Sequence, residues 1–237
     1  MYVLWEFGFW SALTLFVYAY LIYPVLILRI SRTTSNTAPA DRAVSEVELP
    51  SVTVIVAAYN EEIHIAARIQ NLLEQDYPAS NIGILVGSDG STDQTVAIAR
   101  RFSDSRLKVL AFETNRGKAS VLNDCVAQSN STVIVFTDAN TVFKPDTVRN
   151  LIAALDDHTA AACGELILQA PDHGHNVDHG YWSIERRLKA AESAIGGLIG
   201  ANGGVYAIRR DCFQPLRPDT IVDDFVIAMN IGVARKG

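Results

Sequence analysis

The sequence predicts an α/β fold built on a mostly parallel sheet, preceded by an apolar helix. Three observations carry that expectation. From residue 51 to 155, short β-branched apolar runs alternate with segments of helical period. The runs are apolar throughout, as in strands covered on both faces. Each of the first four also ends in a polar tip: AAYNEE at 57–62, GSDGSTD at 87–93, ETNRGK at 113–118, and TDAN closing VIVFTDAN at 133–140. Open parallel sheets bind ligands outside the carboxyl ends of their strands, so four such tips in succession point to one site.

The first element stands apart from that domain. Phe7–Leu28 is 22 residues without a charge and with one proline, Pro24. At about 1.5 Å per residue it reaches roughly 33 Å, enough to cross a hydrocarbon core of about 30 Å. Tyr2, Trp5, Trp10 and Tyr23 lie near its ends, where amphipathic rings favour the membrane interface. No Lys or Arg precedes the run, unlike a signal peptide. Arg29 and Arg32 follow it and only Glu6 precedes it, which places the rest of the chain in the cytoplasm. Residues 1–30 are therefore expected to form one transmembrane helix. Residues 31–50, rich in Ser, Thr, Ala and Pro, read as a linker. Residues 51–237 are expected to form one globular domain.

Within that domain, Ser51–Ala58 is the first expected strand, bounded by Pro50. Glu61–Gln75 carries Ile65, Ile69, Leu72 and Leu73 at helical spacing and stops at Asp76-Tyr77-Pro78. Ile82–Gly87 is the second strand. Thr92–Phe102 is the next helix, opened by capping residues around 91–93. Strand Leu107–Phe112, helix Lys118–Gln128, strand Thr132–Thr137 and helix Asp146–Leu155 continue the alternation. Ala160–Leu168 reads as another strand, Tyr181–Ala194 as a helix with Ile184, Leu188 and Ala191 on one face, and Val205–Ile208 as a short strand. Asp223 and Asp224 open a last apolar helix. Between the 160–168 strand and the 181–194 helix, Pro171–His179 holds His173, His175 and His179 and reads as a solvated loop rather than a metal site, because no regular element fixes these side chains.

Composition narrows the function. A formal net charge of -6 argues against a duplex nucleic-acid partner. Cys125, Cys163 and Cys212 are odd in number, far apart and in apolar contexts, so they read as core residues rather than disulfides or zinc ligands. The tips have their own chemistry. Asp89, on a glycine turn, suits a base edge or a ribose. Asp138 and Asn140, two residues apart, offer oxygen ligands to Mg²⁺ or Mn²⁺. Lys118 at a helix start suits phosphate. Together these describe a nucleotide diphosphate pocket, and no P-loop appears. Asp224 reads either as a general base or as a first-turn charge on its helix.

Six segments, VTVIVAAYNEE, ILVGSDGSTDQT, NRGKASVLNDC, VIVFTDANTVF, GANGGVYAIRRDCF and DDFVIAMNIGVARKG, cover nearly all of residues 51–237. In that order they resemble the family-2 glycosyltransferases, inverting enzymes of GT-A fold. The apolar segment ahead of the domain resembles those of membrane-bound polysaccharide synthases and lipid-linked transferases. The resemblance implies a nucleotide-sugar donor, with UDP-sugar the expected one, a saccharide or lipid-linked acceptor, and a divalent cation, Mg²⁺ or Mn²⁺. It implies that Tyr59 and Glu61 line the nucleoside pocket, that Asp89 contacts the base and that Lys118 approaches the nucleotide. Asp138 and Asn140 fall on the outer positions of the metal motif, and Asp224 on the base that deprotonates the acceptor. Asp223 holds a position usually filled by Glu, and Asn202, Gly203 and Gly204 fall on an acceptor-side loop.

Two departures stand out: Ser88 replaces the first acid of the usual DDGS, and Asn140 replaces an acid at the metal motif. Family synthases also continue past the last helix with a QxxRW-like segment and further membrane helices, so the resemblance implies that this chain is a fragment of a longer protein or a truncated, inactive form. A non-catalytic nucleotide-sugar-binding form is the alternative that Asn140 and the early stop suggest. A nucleotidyltransferase would need a glycine-rich basic loop after the first strand, which AAYNEE is not.

Overall fold

A computed structural model describes residues 2–34, 49–155, 159–165, 184, 187–192, 195 and 203–234. The chain divides into two compact units, residues 1–40 with 168–199, and residues 41–167 with 200–237. The expected His-containing loop at 171–179 and residues 181–183 of the expected helix lie outside the described residues, as do residues 35–48 of the linker and Asn202.

In the first unit, α1 (Tyr2–Val17) runs through a π-helical turn (Tyr18–Ile22) into α2 (Tyr23–Thr34). Pro24 has no N–H to give the carbonyl of Tyr20, and just before it the register slips, Tyr23 N–H reaching the carbonyl of Tyr18. Trp5–Ser31 is long and apolar enough to cross a membrane, and the helix continues to Thr34, past the expected end at residue 30. The Tyr23 hydroxyl donates to Glu192 Oε1 at 2.5 Å.

In the second unit, six strands form one sheet in the order β3-β2-β1-β4-β6-β5. They are β1 (Val52–Ala58), β2 (Ile82–Asp89), β3 (Leu107–Phe112), β4 (Val133–Asp138), β5 (Ala161–Cys163) and β6 (Val205–Arg209). The first four are parallel, β6 joins β4 antiparallel, and β5 pairs antiparallel with β6 and so runs with the first four. Alternate strand residues enter two cores. Val52, Val54 and Val56 pack with Ile65, Ile69 and Leu72 of α3 (Ile65–Leu73) and Val148 and Leu151 of α6 (Thr147–Ala153). Ile55, Ile134 and Phe136 pack with Val121 and Cys125 of α5 (Lys118–Ala127) and Ile227 and Ile231 of α7 (Asp223–Ala234). Both faces are covered, which is why the strands read as continuous apolar runs.

Chain order places the strand tips. β1, β2 and β3 proceed in one direction across the sheet, and β4 returns to the other side of β1. The crevice of such a sheet opens where the order reverses, here between the ends of β1 and β4. Ala57 lies opposite Asp138, Ala58 opposite Ser88, and Thr137 opposite Val205, so the tips sit at one level.

Two helices are shorter than their periodicity suggested. α3 begins at Ile65 because residues 61–64 form a separate turn, closed from His64 and Ile65 N–H to the Glu61 carbonyl. α4 is only Thr95–Ala99. Asp93 accepts from Thr95 N–H at 2.9 Å and fixes the start there, and at the other end Arg101 and Phe102 make tighter i→i−3 bonds.

Candidate active site

The first and second tips are stitched to each other. Asn60, at φ 55, accepts the Thr92 N–H on its side-chain oxygen, and its own N–H reaches Ser91 Oγ. Glu62 accepts from Gln94 N–H at 3.0 Å while Asp93 accepts from Glu62 N–H at 3.1 Å. Glu61 N–H donates to Thr95 Oγ1 at 2.8 Å. These bonds leave Tyr59 about half exposed (49%) at the mouth of the β1–β4 crevice. Gly90, at φ 67, crosses so close to Thr114 and Asn115 that a Cβ there would lie 2.5 Å from their backbone.

The second tip also holds the third. Asp89 is buried, and its carboxylate accepts Arg116 N–H at 2.7 Å and Gly117 N–H at 2.9 Å. It is thus anchored under the 115–117 loop, and one oxygen is used by each amide. Ser88, which stands where the resemblance expects an acid, donates to Ser91 Oγ at 2.8 Å. The anchored loop turns at Gly117 and delivers Lys118 as the first residue of α5.

Lys118 brings the remaining pieces together. Its ammonium lies 3.0 Å from Asp138 Oδ1 at the β4 tip and 3.4 Å from Asp223 Oδ1 at the start of α7. Burial works against the ammonium, but Asp223 and Asp138 outweigh it and lift its pKa above the ordinary lysine range. Asp223 is buried, and burial raises its pKa although Lys118 opposes the shift. Asp223 Oδ2 and the Tyr206 hydroxyl are both buried, and among the described residues neither makes a hydrogen bond of ordinary geometry, although the hydroxyl lies near enough to Asp223 to feel it. Burial, then the charges of Asp223, Asp224 and Asp138, push the Tyr206 hydroxyl well above the usual tyrosine range.

Asp224 is different from its neighbour. It is half-buried, and its Oδ1 accepts Phe225 N–H at 2.8 Å. Its other oxygen lies against Gly203, where a Cβ would come within 3.1 Å of it. Gly203 thus leaves room for the carboxylate, and Gly204 is tied to the β4 tip through the Thr137 hydroxyl at 2.8 Å.

The sequence-expected residues therefore fall into three groups. Lys118, Asp138, Asp223, Asp224, Gly203 and Gly204 converge. Tyr59 and Glu61 stand at the β1 tip beside them. Asp89 acts beneath the surface as the anchor of the Lys118 loop. Sequence reasoning missed Arg68 and Tyr206. Arg68 had a signal: it stands three residues after Ile65 and four before Leu72, on the stripe read as the core face.

The donor set fits a divalent cation of a particular kind. Asp138 would offer a carboxylate, and Asn140, exposed two residues on, an amide oxygen. Among the described residues no group of three His, Cys, Asp or Glu side chains is placed to enclose a metal. Such a site suits Mg²⁺ or Mn²⁺ shared with phosphate oxygens and water rather than an all-protein cage.

Comparison with known proteins gives the family and the fold. The glycosyl transferase family 2 sequence model matches residues 53–215. An N-acetylglucosaminyltransferase of Rhizobium leguminosarum bv. viciae is 28% identical over 200 residues, covering 80% of this chain and 46% of its own length. TarS of Staphylococcus aureus, a poly(ribitol-phosphate) beta-N-acetylglucosaminyltransferase, is 32% identical over 107 residues, 44% of this chain and 19% of its own. The mannosyltransferase PcManGT from Pyrobaculum calidifontis, solved in complex with GDP-Man and Mn²⁺, superposes with a TM-score of 0.73 at 25% identity, covering 91% of this chain and 61% of that one. The fold is that of the GT-A transferases. The chain spans about half the length of the rhizobial relatives it matches.

Proposed function

Because the chain belongs to glycosyl transferase family 2, we propose that it moves a sugar from a nucleotide-diphosphate sugar to a hydroxyl acceptor with inversion. The expected donor is a UDP-sugar. The setting is synthesis of a cell-surface polysaccharide or glycolipid, with the domain held at the cytoplasmic face of the membrane by the apolar helix. The observation that supports this most is the convergence of Lys118 on Asp138 and Asp223, with Asp224 beside them and open toward Gly203. A phosphate cation, a metal carboxylate and the Asp224 carboxylate then face one crevice.

In this reading Tyr59 and Glu61 flank the nucleoside. Asp89 reads the base only through the loop it anchors and through whichever lone pairs the two amides leave. Lys118 exchanges its contact with Asp138 for the diphosphate. Asp138 and Asn140 hold a divalent cation, which when bound supplies Lewis-acid stabilisation of the leaving diphosphate. Asp224 takes the proton of the acceptor hydroxyl. The acceptor oxygen forms its bond to the anomeric carbon on the face opposite the diphosphate. The bond from that carbon to the phosphate oxygen breaks, and its electron pair leaves with the nucleoside diphosphate. Asn202, Gly203 and Gly204 border the acceptor side.

The test is a donor screen: nucleotide sugars are offered with a mixed membrane acceptor fraction, and release of nucleoside diphosphate is measured with and without Mn²⁺. Acceptor-dependent release is the expected result. Saturable binding of the donor with no release would identify a nucleotide-sugar-binding module instead. A second measurement addresses the metal motif. Asn140→Asp adds a charged oxygen ligand and is expected to tighten Mn²⁺ binding, read by titration in the presence of nucleoside diphosphate, by roughly tenfold. Unchanged affinity would remove position 140 from the ligand set.

A further inference from the structure

We propose that Arg68 is a positioning residue that locks the donor end of the pocket to the turn facing Asp224; its effect on turnover rests on the glycosyltransfer reading above. Arg68 lies on the apolar stripe of α3 with Ile65, Ile69 and Leu72 and is 2% exposed. Burial draws its pKa down to about 9, so the guanidinium is still charged at neutral pH. Among the described residues it hydrogen-bonds neutral oxygens alone: Nη1 donates to Asn71 Oδ1 and Nη2 to Thr137 Oγ1, each at 2.7 Å. Its Nε has no hydrogen-bond partner among the described residues, and its Cζ lies 4.0 Å from the Phe143 ring centroid.

The charge of Asp138 favours the cation, yet a well-packed apolar residue is often as stabilising as a buried charge or more so. Fold stability therefore does not account for a cation here, and its connections offer another reason. Thr137 accepts from Arg68 and donates its own hydroxyl hydrogen bond to the Gly204 carbonyl at 2.8 Å. Asn71 accepts from Arg68 and also grips both backbone groups of Phe143, each at 2.8 Å. One guanidinium thus fixes three things: the residue before Asp138, the loop after Asn140, and the turn whose Gly203 lies against Asp224. The first two carry the metal end of the donor pocket, and the third carries the acceptor end. Holding reacting groups in register is worth large rate factors, and a displacement of about 1 Å lowers rates about a hundredfold.

Two variants test this. Arg68→Lys keeps a charge but loses the planar fork, and Thr137→Val removes the relay hydroxyl at nearly constant volume. Hydrogen exchange of peptides covering 138–143 and 203–205 should accelerate about tenfold or more in both variants, with exchange in β1 and β2 unchanged. Turnover should fall by about tenfold or more while nucleoside diphosphate affinity measured without Mn²⁺ stays within about threefold, and the double variant should be no worse than the weaker single. Wild-type protection of the 203–205 peptide in Thr137→Val, which preserves the core volume, overturns the clamp. Wild-type turnover in both variants overturns its functional role. Faster exchange in the variants of a protein that transfers no sugar to any acceptor would overturn the transfer reading and leave the clamp standing.

Discussion

Asp224→Asn is expected to lower sugar transfer about a thousandfold or more, a loss of roughly 4 kcal/mol of transition-state stabilisation, while donor affinity stays within about threefold. The substitution is close to isosteric. The new amide oxygen still accepts Phe225 N–H, as Asp224 Oδ1 does at 2.8 Å, so the start of α7 keeps its shape. What is lost is a basic oxygen on the side facing Gly203. Asp223 is the control. It is buried at 6% exposure and its Oδ1 lies 3.4 Å from Lys118, so it has no open face for an acceptor. Asp223→Asn should act through Lys118, weakening donor binding more than it slows transfer at saturating donor. If the two variants behaved the other way round, with Asp223→Asn inert in transfer and Asp224→Asn active, the roles assigned to the adjacent acids would be exchanged.

Asp138→Ala is expected to weaken nucleoside diphosphate binding in Mn²⁺ about a hundredfold, at the upper end of what is lost when a metal site's supporting partner is removed. Affinity without Mn²⁺ should change far less. Two effects combine in this variant. The β4 tip loses its carboxylate ligand, and Lys118 loses its 3.0 Å partner while keeping Asp223 at 3.4 Å. Lys118 then remains available to the diphosphate, which is why binding without metal should survive. Calorimetric titrations of wild type and variant, each with and without Mn²⁺, separate the two contributions. Equal losses with and without Mn²⁺ would mean that Asp138 orients Lys118 and holds no metal.

The parallel sheet was legible because burial on both faces writes itself as β-branched apolar runs, and the runs at 52–58, 82–89, 107–112 and 133–138 are strands. The tips were legible because a polar residue at the end of a buried strand has few structural reasons to be there. Direction within a tip was not. Asp89 reads equally well as a base contact or as an anchor. Its carboxylate lies under the Arg116 and Gly117 amides because the β3 loop folds back over β2, a fact of three-dimensional placement. Arg68 was passed over because period analysis counts apolar residues, and a guanidinium on the core stripe registers as an interruption. The antiparallel entry of β6 beside β4 was likewise hidden. Val205–Arg209 is apolar enough for a strand of either direction, yet its antiparallel pairing is what carries Gly203 and Gly204 to the β4 tip.

The central claim is that the strand tips form a single pocket for a nucleoside diphosphate, with Asp138 at its metal end. Titrating UDP, and GDP as a second probe, into the full chain with Mn²⁺ and then with chelator tests it most directly. One saturable site per chain is expected for the preferred nucleotide, tightened about tenfold or more by Mn²⁺. Absence of saturable binding for both nucleotides, or affinity indifferent to Mn²⁺, would contradict it.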